Sequence, residues 1–383
     1  MTDIFQITLM LLASVVATIF SRRIKIPAVI GQMLVGILLG PAVFGWIHNG
    51  EVISVMSEIG VILLMFLAGL ESDLAILKKN FKASMLVAVL GVIFPLLCFF
   101  GSAFVLGKGV ATSLFYGIVF AATSVSITVE VLQEYGVLST RAGAIILGAA
   151  VVDDILAVFL LSIFSSVKNG GDNFLFQIIL ELLFFVFLFF VHKLIPKIWK
   201  TVEKIPVYAK NTTVALLICL GLSLFANAVG MSAVIGSFFA GVAISQTEVR
   251  SVIKQNTAAI AYVVFIPIFF ISIALSVHFN HFIDQALLIF FFTILSVLTK
   301  IIPAYGAGKI SHLTHEESLL IGAGMISRGE MALIVAQIGL TSAVITDKTY
   351  SELVIVIMLA TFLAPFVIKW AIKKTNEKTY PKR

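Results

Sequence analysis

The chain has 383 residues, of which 60% are hydrophobic and only 12% charged, against about 25% charged residues in ordinary soluble domains. This composition excludes a soluble enzyme or a nucleic-acid-binding domain and predicts an all-α polytopic membrane protein, in which the net charge of +6 reads as loop bias. There is no GxxxxGK[ST] phosphate loop, no dinucleotide-binding glycine fingerprint and no loop long enough for a nucleotide-hydrolysing domain. No nucleotide, nucleic acid or cofactor is therefore expected as a partner, and the energy for any transport must come from a gradient.

In chain order, apolar windows suited to a hydrocarbon core of ~30 Å fall at about 4–20, 26–40, 59–70, 84–106, 111–132, 142–167, 174–195, 212–229, 231–247, 258–277, 284–305, 317–341 and 349–373. They predict about thirteen transmembrane helices in one membrane unit, 1–383, with a cytoplasmic tail at 374–383. The first window lacks a basic leader and a small-residue cleavage site, so it reads as a retained helix. Cys98 and Cys219 both lie inside apolar windows, which points to buried thiols and not to a disulfide framework. Of the 26 Lys and Arg residues, the outer loops hold only Lys108, Lys168 and Lys348 if the N-terminus is outside, and Lys300 and Arg328 lie within spans. All the others fall in inner loops or the tail, which predicts an outside N-terminus and a cytoplasmic C-terminus.

Two windows are interrupted by polar residues. The fifth carries FAATSVSITVEV, with Thr123, Ser124, Ser126 and Thr128, and the twelfth carries GAGMISRGEMAL, with Gly322, Gly324, Ser327, Arg328, Gly329 and Glu330. Both read as discontinuous helices. They stand seven spans apart, an odd number, so they enter the membrane in opposite senses. That predicts two inverted repeats, spans one to six and eight to thirteen, joined by span seven. Unwound backbone at membrane depth is tolerated where protein or a wet cavity satisfies it, and it makes a ready ion site.

Span six holds VVDDILAV. Asp153 and Asp154 lie eleven and twelve residues into it, about 16–18 Å along a helix at 1.5 Å per residue. A charge there costs roughly 2.5–3.5 kcal/mol on insertion scales. Neighbouring residues point about 100° apart, so the two acids face different surroundings. Lys300, late in span eleven, is the expected partner, and the three groups together could exchange a cation and protons. A fixed ion pair that only holds helices together is the bland alternative. Thr123 and Ser124 are hard oxygen donors for Na⁺ or Li⁺, although Ser and Thr also serve simply in helix packing. Arg328 and Glu330 are expected either to order the second break and balance charge, or to form a structural salt bridge. Glu130 reads as an inner-funnel or interface residue, and Glu181, alone in span seven, has no assigned role. His312 and His315 read as solvated loop residues that could also sense pH.

VVDDILAV, TSVSITVEVLQE, the lysine of span eleven and SRGEMALIVAQIGL together make the whole chain resemble the bacterial NapA-type sodium/proton antiporters of the second cation/proton antiporter branch. The resemblance implies that Asp154 is the ion and proton carrier, binding Na⁺, and that Asp153 pairs with Lys300 when unloaded. Thr123 and Ser124 would lie at the crossing of the broken helices, with Arg328 and Glu330 on the second of them. It further implies a homodimer in the cell membrane with a dimerisation part at about 1–83 and 211–282, a mobile core at about 84–167 and 283–373, and a linker helix at 168–210. Relatives with paired aspartates and a lysine tend to be electrogenic. The expected function is secondary active Na⁺(Li⁺)/H⁺ antiport by elevator-like core movement; the alternatives are K⁺/H⁺ antiport on the same fold and a Na⁺-coupled organic-anion carrier.

Overall fold

A computed structural model describes residues 3–24, 26–169, 174–202, 209–275 and 285–379, and every regular element among them is helical. The first half holds α1 (Asp3–Arg23), α2 (Ala28–Leu39), α3 (Glu51–Glu71), α4 (Leu74–Lys79), α5 (Phe81–Val105), α6 (Val110–Ala121), α7 (Ser126–Glu134) and α8 (Arg141–Asn169). α9 (Phe174–Val202) joins them to α10 (Lys210–Ala228), α11 (Ala233–Ile244), α12 (Arg250–Ile260), a π-helical turn (Ala261–Phe265), α13 (Ile266–Leu275), α14 (Ala286–Ile310), α15 (His315–Gly324), α16 (Gly329–Thr341) and α17 (Asp347–Thr379). Eight helical stretches among the described residues are long and apolar enough to cross a membrane.

Several boundaries differ from those read by hydropathy. α3 begins at Glu51, eight residues before its apolar window, because Glu51, Ser54, Ser57 and Glu58 dilute the hydropathy without interrupting the helix. The amphipathic α4 falls in no window. Asp73 starts it by accepting from the backbone N–H groups of Ala75 and Ile76 at 2.7 and 3.3 Å, two of the donors a helix N-terminus leaves unmatched. Before α13 the chain is already helical from Arg250. Cys219 is buried as expected, but Cys98 is only half-buried; both are free thiols.

The helices sort into two bundles by packing. α1, α2, α3, α10, α11 and α12–α13 lie against one another, and α5 to α8 lie against α14 to α17. α9 rests on α8, α10 and α11, and the bundles meet chiefly where α7 packs on α3 and where α17 and α7 pack on α2. The packing repeats between the halves: α1 on α2 matches α10 on α11, α2 on α13 matches α11 on α3, α5 on α6 matches α14 on α15, and α5 on α8 matches α14 on α17. Small residues allow the closest of these contacts. On α3 a Cβ at Gly69 would run into the Phe238 carbonyl, and on α11 one at Gly241 would run into the Phe66 carbonyl, so the two backbones touch. The second bundle has such a contact where a Cβ at Gly117 of α6 would run into the Leu96 carbonyl of α5, and it adds stacked rings, Phe99 on Phe120 at 3.9 Å between centroids and on Phe292 at 5.5 Å.

Candidate ion site at the crossing of two broken helices

The breaks fall where the polar runs predict them. α6 stops at Ala121 and α7 starts at Ser126; α15 stops at Gly324 and α16 starts at Gly329. Each break frees backbone groups that need partners in an apolar medium, and the two segments supply them to each other. Ser124 donates its N–H to the Ser327 carbonyl at 2.9 Å, and the Thr128 hydroxyl donates to the Gly324 carbonyl at 2.8 Å. Thr361 of α17 accepts the Gly329 N–H at 3.1 Å. Gly329 has φ +46, and a Cβ on it would fall on the Ser124 side chain. A glycine there satisfies both demands, since only glycine enters the left-handed region freely.

The C-terminal end of α6 carries the unmatched carbonyls and the partial negative charge of the aligned peptide dipoles. Two buried cations meet it. Lys300 donates to the Ala121 carbonyl at 2.8 Å and to the Thr123 hydroxyl at 2.5 Å. Arg328 donates through Nη1 to the carbonyls of Phe120 and Ala122, the latter at 3.2 Å. Its remaining donors go to α14: Nε to Ser296 Oγ at 3.1 Å and Nη2 to the Ser296 carbonyl at 2.9 Å. Ser296 is one turn before Lys300, so α14 presents both groups to the crossing from one face.

Asp153 faces this cluster. Its Oδ2 lies 3.4 Å from Lys300 Nζ, both side chains are wholly buried, and its Oδ1 is buried without a hydrogen-bond partner among the described residues. Asp154 is 8% exposed and interacts with the charge of Lys300. The adjacent acids thus differ in surroundings, as their helical offset requires. Thr123 and Ser124 are buried in the first break, and Ser124 Oγ is 2.9 Å from Ser126 Oγ. The arrangement holds two carboxyls, a titratable amine and hydroxyl oxygens in one buried place, which is the chemistry needed to trade a small hard cation for protons.

The remaining residues singled out from sequence fall elsewhere. Glu330 is in the first turn of α16, and its side chain lies outside the described residues. Among the described residues Arg328 bonds the carbonyls of the α6 end and Ser296, which tie the second break to the first. Glu130 is buried six residues beyond Ser124, Glu181 is buried on α9, and His315 Nδ1 is 2.9 Å from the Tyr305 hydroxyl at an exposed end. Sequence reading missed Ser296, Thr361 and a buried group at the far end of α6. There Glu352 accepts from the Tyr116 hydroxyl at 2.9 Å and pairs with Lys108 at 3.5 Å. An acid three residues into the last apolar window was the available signal for it.

Crossed broken helices around buried acids and an amine define a membrane carrier for small cations. Comparison with known proteins makes this specific: the chain belongs to the sodium/hydrogen exchanger family, whose transmembrane model matches residues 10–374. It is 48% identical over 375 residues to a Na⁺/H⁺ antiporter of Enterococcus hirae, covering 96% of this chain and 97% of that protein. It is also 39% identical over 368 residues to the Na⁺/H⁺-K⁺ antiporter GerN of Bacillus cereus, covering 96% and 95%. The fold is similar to that of the sodium proton antiporter MjNhaP1 from Methanocaldococcus jannaschii, with a TM-score of 0.71 at 15% identity over 97% of this chain and 98% of that one.

Proposed function

We propose that the protein exchanges Na⁺ or Li⁺ for H⁺ across the cell membrane, with Asp154 as the competing site for cation and proton. The observation that carries this reading is the placement of Lys300. Its ammonium occupies Thr123 Oγ1, the Ala121 carbonyl and Asp153, oxygen ligands of the kind a small cation requires. A cation entering at Asp154 would compete with the lysine for these oxygens, so its arrival loosens the pair and favours release of a proton. A lysine that gains and loses its proton in this way makes the exchange electrogenic.

Movement follows from the bundles. The second bundle carries all the site residues and is the proposed mobile core, about 84–167 and 283–373, while the first, about 1–83 and 211–282, is the proposed dimerisation part and 168–210 the linker. The repeated packing supports two inverted repeats and about thirteen spans, and the asymmetry of basic loops supports an outside N-terminus. Only a neutralised site should cross the apolar seam cheaply, which couples the two fluxes.

The test is Na⁺-dependent proton flux in proteoliposomes with the potential clamped at two values; flux that is absent, or indifferent to potential, rejects exchange or electrogenicity respectively. K⁺ as the preferred ion is the second reading, favoured by the similarity to GerN, and the same assay with Na⁺, Li⁺ and K⁺ separates them. An organic-anion carrier fits poorly, because both buried cations of the crossing already bind backbone carbonyls.

A further inference from the structure

Glu130 lies outside the crossing and takes no part in the exchange just described. It sits on α7, about 6 Å along the helix from the first residue Ser126 at 1.5 Å per residue, on the surface where the two bundles meet. It is 9% exposed, and its Oε2 is buried with no hydrogen-bond partner among the described residues. A carboxylate with one oxygen in this condition pays for burial without full hydrogen-bond compensation.

The groups around it are engaged elsewhere. From α3, Glu71 is 2.8 Å from Lys254 of α12, the cation of the cluster. On α7 itself, Glu134 accepts the Ala28 N–H of α2 at 3.0 Å, and α2 carries no titratable side chain. From the π-helical turn, Tyr262 stands beside Glu130 and donates its hydroxyl to Gln133 Oε1 at 2.9 Å. The groups acting on Glu130 are the charges of Glu134 and Glu71 and a hydrogen bond with the Tyr262 hydroxyl; no group of α17, which also packs on α7, is among them. The Tyr262 hydroxyl reaches both Gln133 and Glu130; it has one hydrogen and serves one of them at a time, so while Gln133 holds it the oxygen offers Glu130 only a lone pair. A carboxylate cannot use that offer, whereas a carboxylic acid can donate into it.

We propose that Glu130 is a second proton-binding group, loaded in the arrangement described here and unloaded when α7 leaves α3 and Tyr262. The ligand is a proton, and the binding pocket is shared between the two bundles. Because α7 belongs to one bundle while Glu71, Lys254 and Tyr262 belong to the other, a displacement of the bundles changes what surrounds the carboxyl. Proton affinity at Glu130 and the position of the core are then linked, each biasing the other by the same factor. Acid holds the core as seen here, and alkali releases it. This rests on the two-bundle movement proposed above but not on which ion is carried.

The test pairs a spectroscopic measurement with a transport one, on full-length protein in liposomes. Infrared difference spectra recorded on raising the pH should show a protonated-carboxyl band that Glu130→Gln abolishes and Tyr262→Phe shifts, as the acceptor oxygen is lost. In the exchange assay Glu130→Gln should keep the maximal rate but move the pH of half-maximal exchange by about one unit or more. An infrared band unaffected by Glu130→Gln overturns the proposal even if transport is normal. A changed band with an unchanged pH profile overturns the link to core position. Liposomes that show the band and no Na⁺-driven proton flux would instead count against the proposed exchange alone.

Discussion

Ser124 and Ser327 are joined backbone to backbone, N–H to carbonyl at 2.9 Å, although 203 residues separate them in the chain. Each lies in a stretch that has lost its own helical partners, so the bond completes both breaks at once. The two discontinuities form a single object, and a change to either should be felt by the other.

Gly329 is the tightest point of that object. Gly329→Ala must place a side chain at φ +46, which costs about 1–2 kcal/mol, and also drive it into Ser124. We expect a lower unfolding temperature and loss of most exchange. Adding Ser124→Gly should restore stability only in part, because the backbone strain remains; full recovery would show that the clash was the whole effect.

Arg328 uses a planar fork of donors on four acceptors, and a lysine has no such geometry. Arg328→Lys keeps the charge but should abandon at least two carbonyls at the α6 end. The expected outcome is strong loss of exchange together with lowered thermal stability, and wild-type behaviour of both would show that charge alone suffices.

For the buried pair, Lys300→Met leaves Asp153 as an uncompensated charge, for which about 3–5 kcal/mol of destabilisation is typical. The double variant Asp153→Asn with Lys300→Met should recover much of it. Unfolding measured by a fluorescent thiol or dye assay across the four proteins gives the coupling directly. Exchange in Lys300→Met should persist weakly with a reduced response to membrane potential, which tests the lysine as a titrating partner.

Asp154→Asn removes the proposed carrier without changing side-chain volume much. Folding and thermal stability should stay near wild type while Na⁺-dependent proton flux in everted vesicles falls to background. Retained flux would move the site elsewhere, with Asp153 the next position to test.

Part of the chemistry carried by side chains was legible before the fold was known; that carried by the backbone, and by Ser296, Thr361 and Glu352, was not. VVDDILAV stands out because two acids interrupt an apolar run, and both breaks show as polar residues at mid-window. The carbonyls of Phe120, Ala121, Ala122 and Ser327 have no sequence signature, yet they bind Lys300, Arg328 and the Ser124 N–H. Arg328 was therefore expected to order the second break and balance charge or to pair with an acid, and the acceptors through which it joins the α6 end could not be named from sequence. Hydropathy also cut α3 short, since a helix can carry polar residues at one end without stopping. Glu352 escaped notice because an acid near the start of a window reads as a boundary, and only packing shows that it is buried on Tyr116.

The glycine seam between α3 and α11 has a practical consequence. Where two backbones touch with no side chain between them, neither helix can slide or roll without a collision, so this pair offers a fixed origin for distance measurements. Spin labels placed on α3 and α11 should report one separation in every ionic condition. If the bundles move as proposed, a label on α3 paired with one on α7 should report two, and the difference between them would be the length of the stroke.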